Sequence, residues 1–246
     1  MDVCSILSQA ELVPAGIEAY RALERFHYRD GAPGPWCAIY AMVVPCQKRD
    51  AIAGVIVYGP AAMNNAARDA ATSGYFAGHS KVDKLALLNA HVRRISRVIV
   101  EPRWRGLGLG VRLVRETLAL VGAAMVETTA AMGHVHPLFE RAGMRPYAPR
   151  NDTTREQLRH ALTAAAIDES LWADPSAVQA RLDALTGPLR DRIEEAMRLF
   201  LNRFGRRRTM NPGLERTAYL LTRLSAAPMY YAWLNPDRPV PGLRLV

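Results

Sequence analysis

Apolar residues recur along this chain in two rhythms, and one gives way to the other near residue 150. Before that point, short apolar runs alternate with helical stripes. Ile17, Tyr20 and Leu23 fall on one side of a helix expected over 13–26. The segment 30–35, Asp-Gly-Ala-Pro-Gly-Pro, breaks the chain. Residues 36–44 and 52–58 are apolar, β-rich runs separated by 45–50, the pattern of an antiparallel hairpin. A connecting helix is expected within 61–72, strands at 95–100 and 124–130, a long helix at 109–121 and a short one at 137–142.

Beyond residue 150 the pattern becomes helical throughout, with helices expected at 153–167, 175–185, 188–204 and 214–224. Asp174-Pro175 and Gly187-Pro188 place proline in a first turn, where its missing N–H is harmless. Leu189, Ile193, Ala196 and Phe200 form a single apolar stripe. These rhythms predict a mixed α/β domain over 1–150. A helical extension over 151–246 follows, read as a substrate-recognition or oligomerisation element.

Composition narrows the class. The 246 residues are 50% hydrophobic, which excludes intrinsic disorder, and 17 Gly with 16 Pro exclude a collagen-like chain. No run approaches the roughly 18 apolar residues of a membrane span. Met1-Asp2-Val3-Cys4 lacks a basic flank, so no signal peptide is expected, and the location expected is cytoplasmic. Cys4, Cys37 and Cys46 are odd in number and show no C-x-x-C spacing, which predicts reduced thiols and no metal site. The net charge of +9 is carried mostly by arginine, whose planar fork suits phosphate. That charge fits nucleic acid, a cofactor phosphate or plain solubility.

One segment carries chemistry. From Ile95 to Val100 a strand leads into Glu101-Pro102-Arg103-Trp104-Arg105, then Gly106-Leu107-Gly108-Leu109-Gly110, then a helix with Leu107, Val111, Val114, Leu118 and Val121 on one face. A helix start exposes unpaired N–H groups and attracts anions, and glycines let the main chain approach them closely. The sequence describes a phosphate cradle. Gly110 is followed by Val111-Arg112, so it is no Walker A loop. Val111 stands where the third glycine of a dinucleotide fingerprint would be.

What remains is Arg-x-x-Gly-x-Gly over 105–110, after a Val-x-Val-x-Pro strand. This resembles the pyrophosphate-binding element of the GNAT (general N-acetyltransferase) superfamily. Residues 137–144, Pro-Leu-Phe-Glu-Arg-Ala-Gly-Met, are similar to that family's later helix and turn. The resemblance covers roughly residues 10–148. It implies a central mixed, largely antiparallel sheet, splayed to admit an acyl-coenzyme A, acetyl-CoA above all. On this likeness, main-chain groups of Val98, Ile99 and Val100 hold the pantetheine arm, and Arg105, Gly106, Leu107, Gly108, Leu109 and Gly110 hold the diphosphate. Phe139 stands by the cofactor where many members have the tyrosine that protonates the departing thiolate. Another acid is then needed: His134, His136, a tyrosine, or water. Glu127, on the strand after the cradle helix, is the expected general base.

A second likeness is to the phage Mom-type DNA-modification proteins, in the layout of Phe26-His27-Tyr28-Arg29 ahead of the hairpin. It implies that His27 and Tyr28 bind or deprotonate an acceptor base. Arg206, Arg207 and Arg208 are candidate phosphate contacts or a solvated helix end. Trp36, Trp104, Tyr230, Tyr231 and Trp233 are base-stacking or core residues. The expected function is an acyl-CoA-dependent N-acyltransferase acting on an amine of DNA or tRNA, by direct attack on the thioester. The alternatives are acetylation of a small amine or a protein, and a non-catalytic module that binds coenzyme A and nucleic acid.

Overall fold

A computed structural model describes residues 8–27, 32–46, 50–133, 135–148, 152–202, 204–225 and 228–246. Cys4, Tyr28, His134 and Arg203 lie outside the described residues, and so does the side chain of Arg206. The fold is mixed α/β. The chain divides into a sheet unit, residues 1–148 with 229–246, and a helical unit, residues 149–228.

The sheet unit holds seven strands: β1 (Glu11–Pro14), β2 (Ala38–Val44), β3 (Ala51–Pro60), β4 (Val92–Val100), β5 (Met125–Ala130), β6 (Arg145–Tyr147) and β7 (Met229–Leu234). They form one open sheet in the order β1-β2-β3-β4-β5-β7-β6. Every neighbouring pair is antiparallel except β4–β5. The expected β2–β3 hairpin is present. The helix expected from residue 13 begins later, because Val13 and Pro14 pair with Ala41 and Tyr40 as part of β1. Helix α1 (Ile17–Leu23) follows Gly16 and buries Tyr20 and Leu23.

The connection after β3 carries α2 (Ala66–Ala71) and α3 (Lys81–His91). Helix α3 leaves no periodic trace in the sequence: Val82 is 77% exposed, and of its residues only Leu88 is buried. Helices α4 (Leu109–Leu120) and α5 (Leu138–Arg141) complete the unit. Alternation along the strands sorts the core onto two faces. Ile56, Tyr58, Ile95, Val126 and Tyr231 meet Leu113 and Val114 of α4 on one. On the other, Val55, Val57 and Ile99 pack with Tyr20 of α1, while Val92, Met125 and Tyr230 pack with Phe76 and Leu88.

Strand β7 corrects the expected boundary. Residues 229–246 are not part of a helical extension but belong to the sheet unit, with β7 hydrogen-bonded between β5 and β6. The run Met-Tyr-Tyr-Ala-Trp-Leu lies between Pro228 and Pro236, and its aromatic content suits a strand covered on both faces. Tyr230 and Tyr231 point to opposite faces and are both buried, so neither is a stacking platform.

The helical unit contains α6 (Thr153–Ala164), α7 (Pro175–Ala184), α8 (Gly187–Leu201) and α9 (Leu214–Ser225), close to the expected spans. Asp152 caps α6 and Asp174 caps α7 through side-chain acceptors. The predicted stripe of α8 holds: Ile193, Ala196 and Phe200 are buried with Leu158, Leu162, Val178 and Leu220 in this unit's own core. Among the described residues, no helix is long and apolar enough to cross a membrane.

Candidate functional site

The site begins with a bulge. Val57 pairs with Arg97 and Tyr58 with Ile95, so Ser96 is an extra residue in β4. A bulge bends its strand and sharpens the twist. Just before it, the parallel ladder to β5 stops: Val92, Arg93 and Arg94 pair with Met125, Val126 and Glu127, and no later residue of β4 pairs with β5. Strand β5 instead runs on to Ala130 with β7 as its partner. The two parallel strands therefore fork, and the Thr128 hydroxyl donates across the crotch to the Ile95 carbonyl at 3.1 Å.

A cleft of about 230 Å³ fills the fork. Ile95 to Val98 line one prong and Thr128 to Ala130 the other, with His27, His136 and Phe139 at its walls. The hydrogen-bond alternation of the antiparallel ladder fixes which main-chain groups face it. The Glu101 N–H donates to the Ala53 carbonyl at 2.9 Å, so Ile99 turns its N–H and C=O to β3 while Val98 and Val100 turn theirs away. The Val100 carbonyl accepts from Arg105 Nε at 2.9 Å. Of the three residues expected to grip a ligand by their backbone, Val98 lines the cleft and Ile99 faces its strand partner.

The glycine turn stands at the end of β4. Gly106 and Gly108 both have φ of +80°, a left-handed conformation that strains any residue with a Cβ. Gly108 is the N-cap of α4, and the Arg112 N–H donates to its carbonyl at 3.1 Å. The N–H groups of Leu109, Gly110 and Val111 thus precede the first intrahelical bond and have no carbonyl within their own helix. A Cβ on Gly110 would lie 3.2 Å from Leu138 Cδ1 and 3.4 Å from a Val100 methyl, so this glycine lets α4 settle against α5 and β4. Arg105 braces the turn, its second contact being Nη2 to the Phe26 carbonyl at 3.3 Å. The buried face of α4 is Leu109, Leu113, Val114, Thr117 and Leu118, displaced from the expected stripe because Val111 and Val121 are half-buried at its margin.

Glu127 stands where the strands begin to part, on the face away from α4, and does not line the cleft. It is 1% exposed, and its Oε2 accepts from Arg68 Nε at 3.0 Å and from the Tyr230 hydroxyl at 2.7 Å. Burial first, and then the adjacent Glu127 carboxylate, push the Tyr230 phenol far above its ordinary range. The expected general base is thus held in a buried ion pair. Sequence reasoning missed both of its partners, Arg68 and Tyr230, because nothing local marks a contact across 59 or 103 residues.

Phe139 is buried and packs against the Tyr231 ring at 5.3 Å between centroids. The Tyr231 hydroxyl beside it donates to the Gly133 carbonyl at 3.1 Å, and burial, then Glu140, raises its proton affinity. Of the histidines, His27 and the exposed His136 both reach the cleft. In the helical unit, Arg207 pairs with Glu215 at 3.0 Å and lies over the Tyr219 ring, while Arg208 is exposed. Among the described residues, no cluster of His, Cys, Asp and Glu could hold a metal ion.

The chain matches no family model and no curated protein.

Proposed function

We propose that the chain is an acyl-CoA-dependent N-acyltransferase of the GNAT type, acting on an amine of a nucleic acid. One observation carries this reading: the parallel β4–β5 ladder opens beside a helix that starts on a left-handed glycine. Such a pair supplies what an acyl-CoA needs. The orphan N–H groups at the start of α4 suit the diphosphate. The main chain of Val98, turned toward the fork, suits the amides of the pantetheine arm and polarises a carbonyl near them. A bound acyl-CoA supplies an activated acyl group that a neutral amine can attack directly.

The chain's own residues do the rest. The cleft orients the amine against the carbonyl, which is the larger part of such catalysis. His27 and His136 line the cleft and serve as the groups that move protons, one from the amine and one to the thiolate. Glu127, tied to Arg68 and Tyr230, holds the fork in shape. The +9 charge favours a polyanionic acceptor.

Two measurements test this. Titration calorimetry with coenzyme A should give saturable binding by the wild-type chain and none by Gly108→Asp, which sets a carboxylate at the anion site. Gly108→Ala is the control for strain, since a Cβ there meets no atom within 4 Å. Equal affinity of Gly108→Asp and wild type would overturn the cradle. Labelled acetyl-CoA with separate pools of duplex DNA, tRNA, protein and polyamines tests the acceptor. Label in DNA or tRNA is expected, and label only in polyamines would defeat it.

A further inference from the structure

The bulge at Ser96 has an effect on β4 apart from opening the fork. In a regular strand, residues three apart point to opposite faces. The extra residue cancels one alternation and puts Arg94 and Arg97 on the same face, opposite α4. Arg94 sits in register with Glu127, and Arg97 with Val57 of the α1-side cluster. With one residue bulged out, the two Cα atoms are roughly 7 Å apart, two strand steps. Their guanidinium groups can therefore close on one small anion.

Both arginines are half-buried, and each has a buried Nε with no hydrogen-bond partner among the described residues. Arg97 is held by its other nitrogens, Nη1 donating to the Ser96 carbonyl at 2.9 Å and Nη2 to the Ala32 carbonyl at 3.5 Å. It lines the cleft together with His27. The carboxylate in register does not pair with either of these Nε groups: Glu127 accepts from Arg68 and Tyr230 through Oε2, and its Oε1 has no hydrogen-bond partner among the described residues. Buried guanidinium nitrogens without acceptors are costly and mark a place for a ligand that brings them.

We propose that Arg94 and Arg97 form a phosphate site beside the cleft, Arg97 in its wall and Arg94 on the same face of β4, taking a phosphate mono- or diester through both guanidiniums. The edge of a guanidinium offers two parallel donors that match two phosphate oxygens. The site itself rests on the arginines. That its phosphate belongs to the acceptor rests on the acyltransferase reading. A phosphate held here places the attached base or sugar over the cleft, near His27. A polynucleotide backbone and a free nucleotide both carry such a phosphate, and the test separates these sources.

The experiment compares the full-length chain with Arg94→Gln/Arg97→Gln, following a fluorescent duplex oligonucleotide by anisotropy over a salt series. AMP and inorganic phosphate are measured by calorimetry. The double variant is expected to lose about tenfold in affinity for the phosphate ligand. For a duplex, the slope of log K against log salt should also fall by about 1, one phosphate's worth. Loss for the oligonucleotide assigns the site to a backbone phosphate, and loss for AMP and phosphate alone assigns it to free nucleotides. Arg192→Gln/Arg244→Gln, at exposed positions elsewhere, controls for the loss of two charges. An equal loss in that control, or unchanged binding of every probe by the double variant, overturns the proposal. Arg97→Gln alone, with circular dichroism as a check of folding, serves should the double variant not fold. Coenzyme A binding should survive Arg94→Gln alone, since Arg94 does not line the cleft. A wild-type chain that ignores coenzyme A while the arginine variants still lose phosphate binding would remove the acyltransferase reading and leave this site standing.

Discussion

The two units treat buried polarity differently. In the helical unit, polar groups among the described residues are largely satisfied by local partners: Asp174 caps α7, the buried Thr217 donates to Gln179 at 2.7 Å, and the buried Arg216 forks onto Glu194. Its buried orphans are the scattered Trp172 Nε1 and Arg216 Nε. In the sheet unit, by contrast, four of the seven orphans among the described residues gather around one place. Arg68 Nη1, Arg94 Nε, Arg97 Nε and Glu127 Oε1 belong to the crotch between β4 and β5 or its flank, while Asp69 Oδ1, Trp104 Nε1 and the Tyr147 hydroxyl do not line it. A unit shaped only for stability would have apolar residues there. The helical unit is built as a core, and the sheet unit is built around a fork that forgoes some packing for polar groups.

The sharpest way to break this comparison is to remove one member of the buried pair. Arg68→Met leaves Glu127 charged and buried with only Tyr230, and should destabilise the chain by about 3–5 kcal/mol. Urea unfolding measures this, and Arg68→Met/Glu127→Leu should recover most of the loss. A single variant within experimental error of wild type would show that the crotch is not under electrostatic tension.

Tyr230→Phe is expected to act less strongly, by about 1–3 kcal/mol, since it deletes one hydrogen bond to a charged group. It also changes the response to alkali. Burial and Glu127 raise the Tyr230 hydroxyl well above the ordinary 10.0, so the folded chain keeps a proton that the unfolded chain releases. The tyrosine's contribution is therefore intact below pH 10 and is lost progressively above it. Stability measured from neutral pH into alkali should fall less steeply in the phenylalanine variant. Parallel curves would mean that the phenol does not feel the carboxylate.

The smallest effect belongs to the other unit. Asp174→Ala removes the acceptor for the N–H groups of Ser176 and Ala177, at 3.0 and 3.1 Å, and should cost about 1 kcal/mol. Ligand binding at the fork should be unchanged. A shift in coenzyme A or oligonucleotide affinity would tie the helical unit to the site.

The same contrast explains what the sequence discloses. Helices α6 to α9 were legible within a few residues, because Asp174-Pro175 and the Leu189-to-Phe200 stripe are local signals. The glycine turn was legible for the same reason. The shape of the fork was not, since a bulge at Ser96 follows from pairing with Val57 and Tyr58, residues far away in the chain. The strand that carries Glu127 was legible, but the partners of its carboxylate were not, because Arg68 arrives from α2 and Tyr230 from β7. Strand β7 was hidden by its position after four helices, although Met229 to Leu234 is as β-rich as any run in the chain.

That late strand bears on how the molecule is made. Until residues 229–234 leave the ribosome, the outer edge of β5 has no partner on the β7 side, and a nascent chain carrying β1 to β5 presents bare N–H and C=O groups along Met125 to Ala130. The helical unit is synthesised during that interval and is free to fold first. Any shortened version ending near residue 148 would carry the same open edge permanently, with self-association through β5 as its natural outcome.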